Sequence, residues 1–373
     1  MSVRDAESGT VPLAERLRAR IRRAGAIGFR DWMEAALYDE RDGYYFRRDL
    51  TRWGRTGDYR TTPERSPLFS ATFANYFARL YEELAAPHNW TIFESGAGAG
   101  HFADGVLQTL QRDYPRIFSA TRYVIDEASA DTRERLSERL SEFADRVEFR
   151  CLAEMGDSIN EGIVFSNELL DAFPVHRVIV HEGRLYELFV DLDEADEFVW
   201  TEREPSTPQL ADYLARSGVE LSEGQVAEVN LEVEGWMRRA VSALKRGYLI
   251  IVDYGAEASD LYSAPQRRNG TLRAFHHHSF AENVLAQPGE QDLTTTIDWT
   301  NVKRIGAELN LQTVSFERQD KFLLRAGLID MLERMTAEAS DETEALILSS
   351  SVRELILPGG MSESFQVLIL EKR

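Results

Sequence analysis

The sequence has little of three things: cysteine, long apolar runs and positive charge. Its 373 residues contain one cysteine, so no disulfide can form within the chain and a reducing compartment is expected. No apolar run approaches the roughly 20 residues of a membrane-spanning helix. The net charge of −20 argues against nucleic acid or an anionic membrane as the main partner, because both need a basic surface.

What is present is the composition of a soluble globular enzyme, with 43% hydrophobic and 28% charged residues. Its acidity fits an enzyme that attracts a basic substrate. Cys151 lies in an apolar segment, which predicts a buried packing residue rather than a reactive thiol. The first predicted helix is rich in arginine, as organelle transit peptides are. Asp5, Glu7 and Glu15 argue against a transit peptide, because such peptides have few acidic residues. We therefore expect a cytoplasmic protein.

Residues 90–100, W-T-I-F-E-S-G-A-G-A-G, predict a strand, a sharp turn and the start of a helix. The strand part is β-branched or aromatic. Gly96, Gly98 and Gly100 let the backbone turn and approach a ligand closely. The apolar spacing of residues 102–110 predicts a helix, whose first N–H groups favour a carboxylate or phosphate. The stretch is typical of a nucleotide-type α/β site, with a flexible glycine loop as the alternative.

Further short apolar strands alternate with helical segments, which predicts an α/β fold with a parallel sheet covered on both faces. Right-handed crossovers place the carboxyl ends of such strands on one edge, where ligands bind. Two interruptions follow: a hairpin at about 177–190 with a helix at about 226–245, and a long polar segment over 256–298. The further strand segments are 122–126, 147–152, 162–166 and 247–252.

Residues 57–69 are rich in proline and small hydroxyl residues, which indicates a loop. Its position before the glycine strand makes it a candidate lid, with a plain connector as the alternative. Ser66 is placed to cap a helix that begins at Pro67.

Acidic residues at two strand ends indicate a nucleoside ligand. Glu127 follows the second strand and can accept both hydroxyls of a ribose, with Asp126 as the competing candidate. Residues 98–103 fit the dinucleotide pattern G-x-G-x-x-A, but E-x-G-x-G-x-G from Glu94 fits the first motif of class I S-adenosylmethionine (SAM) methyltransferases. Glu94 would repel a pyrophosphate and attract the cationic groups of SAM, which favours SAM.

The fourth and fifth strands end in further candidate residues. Asn167 and Glu168 would face a transferred methyl group, where a carboxylate can hold a cationic nucleophile and accept its proton. A turn residue and a helix cap are the alternatives. Residues 253–255 end the fifth strand at the same edge. Residues 276–278 are three adjacent histidines, but neighbours in an extended chain point opposite ways, so no metal site is predicted.

Eight segments, in order, resemble the MidA family of SAM-dependent methyltransferases. Its mitochondrial members are complex I assembly factors that act as protein arginine methyltransferases. The segments are 43–45, 57–66, 94–100, 127–129, 167–174, 253–255, 270–273 with His278, and 288–289 with Asp292 and Thr294.

The resemblance implies a class I methyltransferase core, a Rossmann-like seven-stranded sheet, with a helical N-terminal part and a substrate-side insertion. The N-terminal region and lid would span 1–89 and the core 90–373, with insertions at about 177–245 and 256–298. The donor would be SAM and the product S-adenosyl-L-homocysteine. Ser95 and Ala97 stand where the family usually has Leu and Pro.

The resemblance also implies the site residues. The cofactor-binding set is Glu94, Gly96, Gly98, Gly100, Glu127 and Asn167; the catalytic set is Glu168, Asn167 and Asp171; the substrate or lid set is Asp58, Thr61, Pro63, Asp253, Tyr254 and His278.

The leading hypothesis is a cytoplasmic SAM-dependent methyltransferase that modifies an arginine of a protein substrate. Glu168 and Asp171 would hold the guanidinium, which is always charged. The alternatives are a small-molecule O- or N-methyltransferase, a non-catalytic assembly factor that kept the fold, and a dehydrogenase. No nucleic-acid or membrane partner is expected, and either a monomer or a homodimer is compatible with the sequence.

Overall fold

The computed structural model describes residues 11–50, 52, 54, 61–263, 265–276, 279–281, 283–356 and 364–373. None of the helices in these ranges is long and apolar enough to cross a membrane. The α-helices are α1 Leu13–Ala24, α2 Phe29–Tyr38, α3 Thr62–Arg65, α4 Pro67–Glu83, α5 His101–Asp113, α6 Pro115–Ala120, α7 Ala130–Arg139, α8 Gln209–Arg216, α9 Glu232–Ala243, α10 Ala258–Leu261, α11 Trp299–Glu308, α12 Gln319–Ala326, α13 Leu328–Ala337 and α14 Glu342–Ile356.

The strands form three sheets. They are β1 Ile27–Gly28, β2 Trp90–Ser95, β3 Thr121–Asp126, β4 Val147–Phe149, β5 Ile159–Asn167, β6 His176–His181, β7 Arg184–Leu192, β8 Phe198–Arg203, β9 Val226–Val229, β10 Leu244–Ala256, β11 Arg273–His276, β12 Ser279–Phe280, β13 Asp292–Thr294, β14 Ile297–Asp298, β15 Gln312–Arg318 and β16 Phe365–Lys372.

The main sheet has the strand order β4-β3-β2-β5-β10-β16-β15, and β14 pairs with the end of β10. The first five strands of this order run parallel. The predicted α/β fold and seven-stranded sheet are therefore confirmed, with β14 as a short eighth strand. The sheet is not parallel throughout, because β16 enters between β10 and β15 and pairs antiparallel with both.

Helices cover both faces of the main sheet because its strands are apolar on both sides. On β5, Ile163 and Phe165 pack with α4, α5 and the α12–α14 helices, whereas Val164 packs with α9 and α11 on the opposite face. This alternation follows from the two-residue period of a strand. The sheet is thereby buried between two helical layers, and its carboxyl edge is left to form a site.

A second sheet joins the start of the chain to the first interruption. Its order is β1-β7-β6-β9, with β8 on β7. Ile27 of β1 pairs antiparallel with Val190 of β7, and both lie in one core with Trp32 of α2 and Phe198 of β8. Residues before position 90 and residues after 177 thus share a lobe. The division of the chain at residue 90 stays a prediction.

Four local predictions differ from the structure. The helix expected at about 226–245 is a strand, β9, followed by the shorter α9, because β9 completes the second sheet beside β6. Cys151 is exposed rather than buried, since β4 ends at Phe149 and the chain leaves the sheet there.

Ser66 precedes α4 but its side chain does not cap the helix; its hydroxyl instead shares a 2.9 Å hydrogen bond with the Ser351 hydroxyl. The interruption at 256–298 contains β11, β12 and β13, which form a small third sheet.

Candidate functional site

A cavity of about 1030 Å³ opens at the carboxyl edge of the parallel strands. The register brings the strand ends together: Ser95 of β2 lies beside Asp126 of β3 and Ser166 of β5, and Val252 of β10 lies beside Asn167. Side chains that follow these strands therefore converge on one space, as expected for an open α/β sheet.

The glycine turn forms one wall of the cavity. Gly96, Gly98 and Gly100 have φ of 72°, 53° and 79°, the left-handed conformation that favours glycine. A Cβ at Gly96 would lie 2.9 Å from Leu169 Cδ1, so the neighbouring loop packs closely on the turn. α5 begins directly after Gly100 without a side-chain cap, which leaves N–H groups of its first turn for another acceptor.

The three glycines do not all face the cavity. Gly96 and Gly98 line it, whereas Gly100 does not. A Cβ at Gly100 would lie 2.5 Å from Leu136 Cδ2 of α7, so this glycine permits close packing beside the site. Gly100 was expected to contact the cofactor, but in the structure it supports the packing of α7 beside the cavity.

Glu94 is buried at the end of β2 and lines the cavity. The Tyr123 hydroxyl donates a 2.6 Å hydrogen bond to Glu94 Oε2. Burial raises the pKa of the Glu94 carboxyl to about 7, and the bond from Tyr123 opposes this shift. A cation bound beside it would favour the ionised form.

Asp126 and Glu127, which the sequence could not separate, both line the cavity. Asp126 Oδ2 accepts a 3.1 Å bond from the Leu152 backbone N–H, and Glu127 Oε1 accepts a 2.9 Å bond from that of Ser129. Burial raises the pKa of Glu127 to about 7 and also raises that of Asp126. Each keeps one carboxylate oxygen outside these two bonds, so both stay candidates for a ribose.

Glu168 follows β5 with φ of 51°, a left-handed conformation that is rare for residues other than glycine. Its N–H donates to the Val252 carbonyl at 2.9 Å, and its Oε1 accepts a 3.0 Å bond from Asn167 Nδ2. Oε1 also lies 3.4 Å from the backbone nitrogen of Thr62, which donates to it. Burial and the nearby charge of Asp171 raise the Glu168 pKa to about 7. Asn167, Glu168 and Asp171 all line the cavity, so the predicted catalytic set lies together.

Asp253 supports this loop from behind and does not line the cavity. Its Oδ2 accepts bonds from the backbone N–H groups of Leu170 and Asp171, at 3.0 and 3.3 Å. Burial raises the pKa of Asp171 to about 6, while Tyr254 and Arg273 beside it oppose the shift. Tyr254 lines the cavity, so of the adjacent pair Asp253 and Tyr254 only the tyrosine is placed for substrate contact.

The predicted lid contributes in part. Thr61 and Pro63 line the cavity, and α3 reaches Glu168 through the Thr62 N–H. Asp58 and His278 lie outside the described residues. Among the side chains that the structure describes, no group of three or more His, Cys, Asp or Glu is arranged to hold a metal ion.

We call the far half of the cavity the part lined by a group of neighbouring residues: Tyr38, Tyr45, Asp171, Tyr254, Arg273 and Asp292. Four of them were not predicted as site residues from the sequence: Tyr38, Tyr45, Arg273 and Asp292. Tyr45, Arg273 and Asp292 lie in segments that carry the family resemblance, so the resemblance could have indicated them. Tyr38 had no such signal, because it ends a helix 52 positions before Trp90 and reaches the site only through the second lobe.

The cavity wall carries a surplus of acid. Six carboxylates line it, against three guanidinium groups. Such a wall can bind a cation, and its buried carboxylates can accept a proton. The carboxylates are Glu94, Asp126, Glu127, Glu168, Asp171 and Asp292; the guanidiniums are Arg65, Arg239 and Arg273.

Comparison with known proteins identifies relatives of the chain. Residues 72–316 match the model of a family described as "Putative S-adenosyl-L-methionine-dependent methyltransferase". A crystal structure from Burkholderia thailandensis, bound to S-adenosyl-homocysteine, is similar with a TM-score of 0.84 and 31% identity, covering 96% of this chain and 91% of that chain.

Two curated relatives span nearly the whole chain. Protein arginine methyltransferase NDUFAF7 homolog, mitochondrial, from Drosophila melanogaster is 26% identical over 394 residues, covering 98% of this chain and 86% of the fly protein. The human protein arginine methyltransferase NDUFAF7, mitochondrial, is 23% identical over 395 residues, covering 98% and 84%. Because both are named mitochondrial, the expected cytoplasmic location is wrong. That expectation rested on acidic residues near the N-terminus, of which Asp5 and Glu7 lie outside the described residues.

Proposed function

Because the chain belongs to this family of S-adenosyl-L-methionine-dependent methyltransferases, we propose that it methylates an arginine side chain of a protein. Relatives named protein arginine methyltransferases support this acceptor. The observation that carries the proposal is a pair of carboxylates on a cavity wall with surplus acid: Asp171, which is buried, and Glu168, which is half-buried.

The near half of the cavity fits the methyl donor. Asn167 Oδ1 is buried and, among the described residues, accepts no hydrogen bond, so it can receive one from a ligand. Gly96 and Gly98 add no side chain to the turn, and the alanines between and after them add only a methyl group each. Together with Glu94 and Glu127, these residues would hold SAM. When bound, SAM supplies a methyl group on a positively charged sulfur.

The far half fits the acceptor. A guanidinium is cationic and planar, and two carboxylates can hold it and direct one nitrogen. Asp171 is buried, and its carboxylate, which lies beside Tyr254 and Arg273, can accept a hydrogen bond from an N–H of the substrate. Glu168 would accept the proton that this nitrogen loses as the nitrogen bonds to the methyl carbon and the bond between that carbon and the cofactor sulfur breaks, which leaves S-adenosyl-L-homocysteine.

A small-molecule acceptor is the second candidate. The cavity is of metabolite size and partly aromatic, and such pockets also suit small ligands. A protein acceptor must instead insert one side chain into it.

The two candidates are separated by where methyl label goes. The purified protein is incubated with methyl-labelled SAM and a cell lysate, and protein is then separated from small molecules. We expect label in protein, with less than a hundredth of it when Glu168→Gln replaces the wild type. Label confined to small molecules would favour the second candidate. The exposed Glu142→Gln serves as the matched control and is expected to label as the wild type does.

A further inference from the structure

Two tyrosines from the start of the chain stand in the acceptor half of the cavity. Tyr38 ends α2, and Tyr45 follows it in the next turn of the chain. Their ring centroids lie 5.4 Å apart with an interplanar angle of 30°, and both side chains line the cavity. They are half-buried, so part of each ring is in contact with the cavity space.

Both rings are fixed in place by their hydroxyl groups. Tyr38 donates a 3.0 Å hydrogen bond to the Ala172 carbonyl, directly after Asp171. Tyr45 donates a 2.9 Å bond to Asp292 Oδ1 on β13. The Thr295 N–H donates to the Asp171 carbonyl at 2.9 Å, which ties this part of the chain to the same loop. The tyrosine pair, the loop of residues 168–172 and β13 therefore form one connected wall.

The same wall already holds one guanidinium. Arg273 lies over the ring of Tyr254 at 4.6 Å and beside Asp171, and its NH2 donates to Thr296 Oγ1 at 3.3 Å. An aromatic face and a carboxylate thus flank a planar cation here. Tyr38 adds an aromatic ring beside the same loop, because its hydroxyl donates to the Ala172 carbonyl, and Tyr45 packs beside Tyr38.

We propose that Tyr38 and Tyr45 form the aromatic wall of a guanidinium-binding subsite, in which Glu168 and Asp171 supply the negative charge. Asp292 is a positioning residue that holds the Tyr45 ring. A guanidinium gains attraction from an aromatic face in addition to its carboxylate bonds, whereas a neutral group of the same shape does not. This inference rests on the proposed function for its acceptor, and it assigns selection of a charged planar group to residues before position 50.

The test measures binding of two small probes to the full-length protein saturated with S-adenosyl-L-homocysteine. N-acetyl-L-arginine amide carries the guanidinium, and N-acetyl-L-citrulline amide is its uncharged counterpart of equal shape. We expect nuclear magnetic resonance titration to show at least tenfold tighter binding of the arginine probe. Binding equal to that of the citrulline probe would overturn the inference.

Variants assign the preference to the two rings. Tyr38→Leu and Tyr45→Leu should each weaken binding of the arginine probe about three- to thirtyfold, the range of a desolvated cation–π contact. Tyr45→Phe keeps the ring and should lose less than Tyr45→Leu. Tyr186→Leu, a half-buried tyrosine of β7 away from the cavity, is the matched control and should leave probe binding unchanged. Wild-type affinity in both leucine variants would overturn the inference.

The result is separable from that of the proposed function. Affinity for S-adenosyl-L-homocysteine, measured by titration calorimetry, should be the same in all variants and reports whether each is folded. If the probes behave as expected but no protein is methylated, the subsite stands and the proposed reaction fails. If protein arginine is methylated with the same KM in both leucine variants, the reaction stands and the subsite is overturned. Should a leucine variant fail to fold, the comparison of the two probes on the wild type and on Tyr45→Phe still decides.

Discussion

Glu168 has a strained backbone at the cavity wall where we propose that the acceptor binds. Its φ of 51° costs a non-glycine residue roughly 1–3 kcal/mol. The bonds to Val252, Asn167 and Thr62 hold it there. A residue kept in this conformation by three neighbours has its carboxylate fixed before substrate arrives, which suits a group that must orient one nitrogen.

The raised pKa of Glu168 predicts the pH dependence of the reaction. Because the carboxylate must be ionised to accept a proton, kcat/KM should rise with pH up to about 7, the pKa of Glu168, and level off above it. Asp171, with a pKa of about 6, should add a second limb at lower pH. The Glu168→Gln variant should lose a hundredfold or more in kcat and should lack the limb near pH 7. An unchanged profile in this variant would assign proton transfer to another group.

The raised pKa of Glu94 predicts that its carboxylate lowers the stability of the ligand-free protein at high pH, although the same carboxylate favours ligand binding. Its pKa rises from 4.5 to about 7 on folding, so between these values the folded protein binds more protons than the unfolded one. The free energy of unfolding therefore falls as pH rises through this window, by about 3 kcal/mol in all. Glu94→Gln should remove this loss and raise the melting temperature of the ligand-free protein at pH 8 by a few degrees, but not at pH 5.

The same variant should bind S-adenosyl-L-homocysteine at least tenfold more weakly, as titration calorimetry can measure. Glu142→Gln, exposed on the surface, should follow the wild type in both measurements. If Glu94→Gln and the wild type lose equal stability between pH 5 and pH 8, the raised pKa of Glu94 is refuted.

At the scale of elements, we expect a substitution in the glycine turn to weaken ligand binding while the protein still folds. Gly96→Ala would place Cβ 2.9 Å from Leu169 Cδ1, the end of a flexible side chain, at a wall of the cavity. We expect at least tenfold weaker binding of S-adenosyl-L-homocysteine, measured by calorimetry. Gly156→Ala is the matched control, since Gly156 has a similar φ of 56° but nothing within 4 Å of the added Cβ. Both variants should lose about 1 kcal/mol of stability from the left-handed backbone. Equal affinity in the two variants would contradict a role of the turn in binding.

The elements that could be predicted are those whose local pattern agrees with their place in the fold. β2, β3, β5 and β10 are short apolar runs buried in the main sheet, and their ends converge because parallel strands must. β9 was predicted as helix because its pairing with β6 is nonlocal and leaves no mark in its own sequence. Cys151 was misplaced because the end of an edge strand cannot be read to the residue.

At the scale of the molecule, the class I methyltransferase fold, the enzyme class and the donor SAM were predicted correctly. Four residues of the far half, Tyr38, Tyr45, Arg273 and Asp292, were not predicted, because this half is built from chain segments more than a hundred residues apart. Tyr38, Ala172 and Asp292 meet only because β1 pairs with β7 and the small third sheet packs beside them. The residue spacing within any single segment therefore could not predict that these residues lie together.

The net charge of −20 predicts that encounter with a basic protein substrate depends on salt. Long-range attraction is screened over about 8 Å at physiological ionic strength. The kcat/KM for a basic protein should therefore fall several-fold between 50 and 300 mM salt, through KM rather than kcat. Affinity for S-adenosyl-L-homocysteine should change little over the same range. A salt-independent KM would indicate an acceptor without net positive charge.

The most direct test of the account identifies the atom that receives the methyl group. The protein is incubated with SAM carrying a deuterated methyl group and with the protein fraction of a lysate. Tandem mass spectrometry then locates the added methyl group. We expect a labelled methyl on a guanidinium nitrogen of arginine, absent from the Glu168→Gln sample. A labelled methyl on lysine, on a carboxylate or only on a small molecule would contradict it.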